Sequence, residues 1–233
     1  MWTLGAGIFM GWSLGANDAA NLFGPMVGSG AMRFWTAALL ASIFVLVGAM
    51  TVGGGCFATY DAIGTQTLLS AFLVTLAAGL TVTLMTILGL PVSSTQAVVG
   101  AILGAGLLTG GVSFAPLTKI GLSWILTPIG GLVAAYIPYK LLVLFPRALP
   151  SRLVQRAGVI RVGLILVTCY SAYALGANNV ANVTGVYVSS GFLSPTLGAV
   201  IGALSIGLGI LTFSRRVIET VGNDLVQLDA VTA

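Results

Sequence analysis

The chain has no histidine, and it has two cysteines among 233 residues. The missing histidine excludes imidazole catalysis and histidine metal ligation. Cys56 and Cys169 stand alone, so no cysteine spacing suited to a metal remains either. They read as small buried side chains and not as a disulfide. Charge is scarce too. Asp, Glu, Lys and Arg make up 6% of the residues, against roughly 25% in a soluble domain. With 58% hydrophobic residues and a mean hydropathy of +1.09, this composition excludes an ordinary soluble domain. The apolar runs are long and lack period-two alternation, so they predict membrane helices and not a barrel. Most of the nine Lys and Arg residues lie between those runs. That placement fits topology determinants in a lipid bilayer and excludes a nucleic-acid surface. No basic region precedes Trp2, so the first apolar run is expected to be retained and not cleaved.

What the chain does have is a stretch written twice. Gly15-Ala16-Asn17-Asp18-Ala19-Ala20-Asn21 returns as Gly176-Ala177-Asn178-Asn179-Val180-Ala181-Asn182. Aligned without a gap from Gly15 to Gly30 and from Gly176 to Gly191, nine of sixteen positions are identical, and both copies end in Ser-Gly. A charged residue at a bilayer centre costs roughly 2.5–3.5 kcal/mol on insertion scales. A duplicated stretch with a carboxylate and carboxamides in such a chain therefore points to a site.

The order of segments follows from the apolar runs and their breaks. The first runs from about Trp2 to Leu22 and is predicted to be broken by the motif, with unwound backbone between Phe23 and Gly30 around Gly24, Pro25 and Gly28. Gly7, Gly11 and Gly15 share one helix face and predict close helix packing. A second segment spans Phe34 to Val52, and Cys56 to Gln66 reads as a loop or surface helix with Asp61 solvated. A third, Thr67 to Leu90, ends at Pro91-Val92-Ser93-Ser94-Thr95-Gln96 and is followed by a run, Ala97 to Leu108, too short for an ordinary span. This fits a hairpin dipping into the membrane, although the spacing alone fits a loop outside the bilayer equally well. Lys119 precedes a fifth segment, about Ile120 to Phe145, with Pro128 and Pro138 as expected kinks. Residues 146–160 carry Arg147, Arg152 and Arg156 and form a basic linker. Arg161 opens a repeat of the first segment, Leu193 to Phe213 repeats the second, and a mixed-charge amphipathic tail follows with Arg215, Arg216, Glu219, Asp224 and Asp229.

The expected organisation is thus a first repeat at 1–145 with a hairpin at about 67–110, the linker at 146–160, and the opening of a second repeat at 161–233. An odd number of segments separates the repeats, so they are expected to be inverted. With the N-terminus outside, Arg33, the linker arginines, Arg161, Arg215 and Arg216 all fall inside, as the positive-inside rule requires. The linker is then cytoplasmic, and Lys119 is the one basic residue left outside.

Inverted repeats with broken helices characterise secondary transporters, whose sites pair half-helix N-termini with anions and loose carbonyls with cations. Ser93, Ser94, Thr95 and Gln96 lie at a candidate helix N-terminus, suited to a tetrahedral oxyanion. Asn17, Asn21, Asn178 and Asn182 can donate or accept. Asp18 beside an anion is repulsive unless a cation or proton intervenes, so cation-coupled anion uptake is the expected activity. No nucleophile–base pair points to an enzyme, and no cofactor is expected.

These residues, with Pro91-Val92-Ser93-Ser94-Thr95-Gln96-Ala97 and the following Val98-Val99-Gly100, resemble the inorganic phosphate transporter (PiT) family over essentially the whole chain. The resemblance implies an all-α inverted-repeat secondary transporter with broken helices and a re-entrant hairpin. It also implies sodium- or proton-coupled symport of inorganic phosphate across the plasma membrane, and a homodimer. Site assignments follow from it together with the residue chemistry. Asn17, Ser93, Ser94, Thr95, Gln96 and Asn178 are expected at phosphate. Asp18, Asn21, Asn179 and Asn182 are expected at sodium, which enters as co-substrate. Asn179 stands where many members have Asp, and Val45 stands where eukaryotic members have an acid. The second Pro-Val-Ser-Ser hairpin is missing before the chain ends, which reads as a fragment of a longer protein. The alternative is a non-transporting truncated scaffold or receptor-like protein of the same fold. Sodium and proton stay unseparated, as do phosphate, arsenate and sulfate.

Overall fold

The computed structural model describes residues 2–57, 67–109, 115–144 and 153–219. Asp61, Arg147, Arg152, Asp224 and Asp229 lie outside the described residues. The described chain is helical, with no strand. In order come α1 (Leu4–Gly28), α2 (Phe34–Thr51), a 3-10 turn (Gly53–Cys56), α3 (Leu68–Ile87), α4 (Ser94–Thr109), α5 (Ala115–Leu144), α6 (Leu153–Ser189), α7 (Pro195–Phe213) and the short α8 (Arg215–Glu219). Five of these, α2, α3, α5, α6 and α7, are long and apolar enough to cross a membrane.

The helix ends follow from local chemistry. Thr67 caps α3 by accepting from the Ser70 N–H at 3.1 Å, while Ser70 Oγ accepts from the Thr67 N–H at 2.9 Å, a reciprocal capping box. Ser194 caps α7, and Pro195 occupies its first turn, where a missing N–H does no harm. The Ser-Gly pairs closing the two motif stretches also have a clear role. Gly30 and Gly191 take positive φ, 71° and 73°. The next N–H then reaches back to the Met26 carbonyl at 3.1 Å in one copy and to the Tyr187 carbonyl at 3.0 Å in the other. This left-handed closure favours glycine.

The helices carrying the motifs are not broken. Helix α1 runs from Leu4 to Gly28 through the whole first motif and past Pro25, and α6 runs through the second. The expected unwinding at 23–30 does not occur. Proline removes one backbone bond, and Pro25 lies in the last turns, where the Gly30 closure secures the end. The break falls instead at residues 88–93, between α3 and α4. Helix α6 also begins at Leu153, inside the stretch expected to be linker.

Packing follows the small residues. Gly7 abuts Tyr187 and Val183, and Gly11 abuts Ser205 and Val183. A Cβ on Gly15 would run into the Ile206 carbonyl, and one on Gly176 into the Val45 carbonyl. Likewise Gly48 is pressed on the Tyr173 carbonyl and Gly209 on the Trp12 carbonyl. The sequence offset that carries Gly15 onto Gly176 also carries Val45 onto Ile206, Trp12 onto Tyr173 and Gly48 onto Gly209. Each repeat therefore packs its motif helix on the other repeat's second helix, with the same register both times. The motif helices run antiparallel to one another. Tyr187 hydroxyl donates to the Thr3 carbonyl at 2.7 Å, Val183 lies by Gly11, and Thr168 Oγ1 lies 3.7 Å from Met26 Sδ. The core gathers Met10, Leu14, Phe23, Val45, Val74, Val82, Val98, Tyr187 and Ile206. Helix α5 meets it through the partly buried Leu117 and Ile120, and none of residues 115–141 is fully buried.

Candidate anion and cation site

Helices α1 and α3 lie side by side in the same direction. Phe9 meets Gly79, Ser13 Oγ is 2.6 Å from Thr83 Oγ1, and Asn17 meets Thr86. At 1.5 Å rise per residue α1 is about 37 Å long, and α3 stops beside its midpoint. The connection between α3 and α4 therefore lies at the motif's level, part-buried, with Leu88 59% and Leu90 48% exposed. The sequence left open a loop outside the bilayer or a hairpin dipping in, and this level is that of the hairpin. Irregular backbone at such a level is tolerated where it lines a cavity, as Ser93 does here.

Two adjacent residues of α1 hold the tip. Asn17, fully buried, donates from Nδ2 to Thr86 Oγ1 and to the Leu90 carbonyl, both at 2.9 Å, and its Oδ1 accepts from the Val92 N–H at 2.8 Å. Pro91, between those two backbone groups, has no N–H to offer, so the carboxamide replaces the bonds a helix would have made. Asp18, 9% exposed, accepts from Ser94 Oγ at both carboxylate oxygens, 3.2 and 3.1 Å away. No cationic side chain among the described residues pairs with it.

The second motif grips the same tip from the opposite side. Asn182 Nδ2 donates to Thr95 Oγ1 at 3.0 Å and to Asn179 Oδ1 at 2.8 Å, and Thr95 Oγ1 lies 3.4 Å from Asn179 Oδ1. At the start of α4, Ser93 Oγ accepts from the Gln96 N–H at 3.3 Å. The backbone N–H groups of Ser94 and Thr95 have no helical acceptor, as in any first turn.

Beside this junction lies a cavity of about 700 Å³. Ser93, Thr95 and Gln96 bound it on the hairpin side, and Asn178, Asn179 and Asn182 on the α6 side. Cys56 and one face of α5 complete the wall. None of the lining residues is charged, so an anion here would meet hydrogen-bond donors and a helix N-terminus instead of lysine or arginine.

Most of the residues singled out in the sequence thus come together, but not all in the expected roles. Asn17 does not line the cavity, because its carboxamide is engaged by the hairpin. Asn21 is exposed on α1 and does not line it either. Ser94 turns to Asp18, away from the cavity. Sequence reasoning missed Thr86, Cys56 and the α5 residues Ser123, Trp124 and Thr127. The one available signal was a pair of hydroxyls four residues apart, followed by Pro128, in an otherwise apolar helix.

Antiparallel motif helices, a hairpin tip held between them and five helices long and apolar enough to cross a membrane define a multi-pass helical membrane protein. A profile described as the phosphate transporter family matches residues 14–157 and 146–233. The chain belongs to that family. It is 30% identical over 223 residues to sulfate permease CysP of Bacillus subtilis (strain 168), covering 94% of this chain and 62% of that protein. It is 34% identical over 162 residues to inorganic phosphate transporter 2-1, chloroplastic, of Arabidopsis thaliana, covering 64% of this chain and 28% of that one. The chain thus spans under two thirds of the length of either relative. In fold it matches a solved sodium-dependent phosphate transporter with a TM-score of 0.82, 23% identity, and coverage of 99% of this chain and 80% of that one.

Proposed function

We propose that the chain carries the anion- and cation-handling core of a sodium-coupled inorganic phosphate symporter of the plasma membrane. The observation that carries this reading is Asp18, a buried carboxylate whose partner is the Ser94 hydroxyl at the first turn of α4. A buried charge needs a counter-charge or a proton. Beside it, a neutral cavity meets a helix N-terminus, where backbone N–H groups favour an oxyanion. A sodium ion at the carboxylate, near Thr95, Asn179 and Asn182, would supply the missing positive charge and relieve repulsion toward phosphate. Ser93, Thr95, Gln96 and Asn178 contact the anion, and Asn17 positions the tip. Sodium is favoured over a proton by the oxygen-rich donors, which suit a hard cation, and by the fold neighbour's sodium dependence. Phosphate is favoured over sulfate by the family, although one relative is a sulfate permease. The repeats are read as inverted across the bilayer with the N-terminus outside, the 146–160 linker cytoplasmic and the protein a homodimer.

The test is uptake of radiolabelled phosphate into proteoliposomes under an imposed inward sodium gradient. Sodium-driven accumulation is expected, and Asp18→Asn should reduce it to background. Accumulation indifferent to both sodium and proton gradients would sink the coupling, and undiminished transport by the variant would remove Asp18 from the site.

A further inference from the structure

We propose that α5 forms a second oxyanion-contacting wall of the cavity, with Trp124 and Thr127 as the side chains that meet the anion. This rests on reading the cavity as the anion site. Helix α5 is otherwise apolar through its middle, and its polar groups between Ile120 and Val133 are Ser123, Trp124 and Thr127. All three line the cavity, together with Ile120 and Pro128. A helix facing only lipid has no reason to gather its hydroxyls and indole N–H on one face.

The three differ in what they have left to offer. Ser123 Oγ donates to the Ile120 carbonyl at 2.7 Å, so its proton is engaged within the helix. Thr127 and the Trp124 indole N–H have no hydrogen-bond partner among the described residues. Pro128 adds an acceptor. It has no N–H, so the Trp124 carbonyl loses its usual helical partner. The face therefore offers two donors, the Trp124 Nε1–H and the Thr127 hydroxyl, and two acceptors, the Thr127 oxygen and the Trp124 carbonyl. Protonated phosphate carries both kinds of group, bare oxygens and a P–OH. This face, the hairpin tip and Asn178 line the same cavity, so an anion in it has all three within one space.

The test is titration of the purified full chain in lipid nanodiscs with inorganic phosphate in sodium buffer. Thr127→Val is expected to weaken phosphate binding about tenfold, the usual loss for a hydrogen bond to a charged group. Thr127→Ser should restore it, and Trp124→Phe should weaken it by a smaller factor. Since no residue of this face is buried in the core, the variants should elute and melt as the wild type does. Phosphate should also protect Thr127→Cys from a thiol reagent in a chain carrying Cys56→Ser and Cys169→Ser. Variants that bind phosphate as the wild type does, or a Thr127→Cys thiol that phosphate fails to protect, would overturn the α5 wall and leave the anion-site reading standing. A folded wild-type chain that binds no phosphate would overturn the anion-site reading, and the wall with it.

Discussion

The two copies of the motif differ in which side chains are closed off. In the first, Asn17 is fully buried under the hairpin and Asn21 is exposed. In the second, Asn178 is exposed at the cavity and Asn182 is 2% exposed, holding Thr95. Asp18 takes the Ser94 hydroxyl, whereas Asn179 is shared between Asn182 and Thr95. Near-identical heptapeptides therefore do different work because one hairpin tip lies between them and offers each a different side. One copy fixes the backbone at positions 90 and 92. The other touches a side chain at position 95 and keeps a carboxamide free for the cavity.

The backbone contacts, by contrast, are the same in both copies, and that likeness carries the largest expected effect. Gly15→Ala and Gly176→Ala should each destabilise the protein by upwards of about 3 kcal/mol, because the new Cβ meets a backbone carbonyl and not a movable side chain. Thermal unfolding in detergent measures this. A Gly176→Ala chain as stable as the wild type would break the two-fold correspondence. At the carboxamides the copies should part. Asn17→Leu leaves the part-buried Leu90 carbonyl and Val92 N–H without their partner and removes the buried bond to Thr86, a loss of about 2 kcal/mol. The matching Asn178→Leu should stay within about 0.5 kcal/mol in the same assay. Equal losses would show that exposure does not separate the two positions. The smallest effect concerns access. Cys56 lines the cavity beside the second motif, so a water-soluble thiol reagent should modify it in a Cys169→Ser chain, and phosphate should slow the reaction. Labelling unaffected by phosphate would separate the Cys56 side of the cavity from the anion.

Much of this arrangement could be read from the residues. Glycine spacing at 7, 11 and 15 announced a packing face, and the polar tip after Leu90 was legible as either a hairpin dipping into the membrane or a loop outside it. Composition placed the chain in a membrane. The continuity of α1 and α6 could not be read, because glycine, proline and carboxamides weaken a helix locally while tertiary packing decides whether it holds. Ala16, Ala19 and Ala20, all fully buried, let neighbouring helices press close enough to hold it. The role of Asn17 was equally hidden. A carboxamide in an apolar chain signals that something will be hydrogen-bonded, but not whether that partner is a solute or the protein's own backbone. The α5 wall was missed because an isolated Ser and Thr in a helix ordinarily bond their own backbone, as Ser123 does.

The exchanged glycine contacts also bear on how the molecule is made. Gly15 and Gly48 find their partners only in α7 and α6, which leave the ribosome long after α1 and α2 have entered the membrane. Until then the first helical pair must wait with its grooves filled by lipid or by another protein. Completion of the bundle is thus a late event that joins segments far apart in the chain, and such non-local closure is intrinsically slow. The newly synthesised protein should pass through a long-lived half-assembled stage, and a mutation in the second repeat should expose the first to quality control.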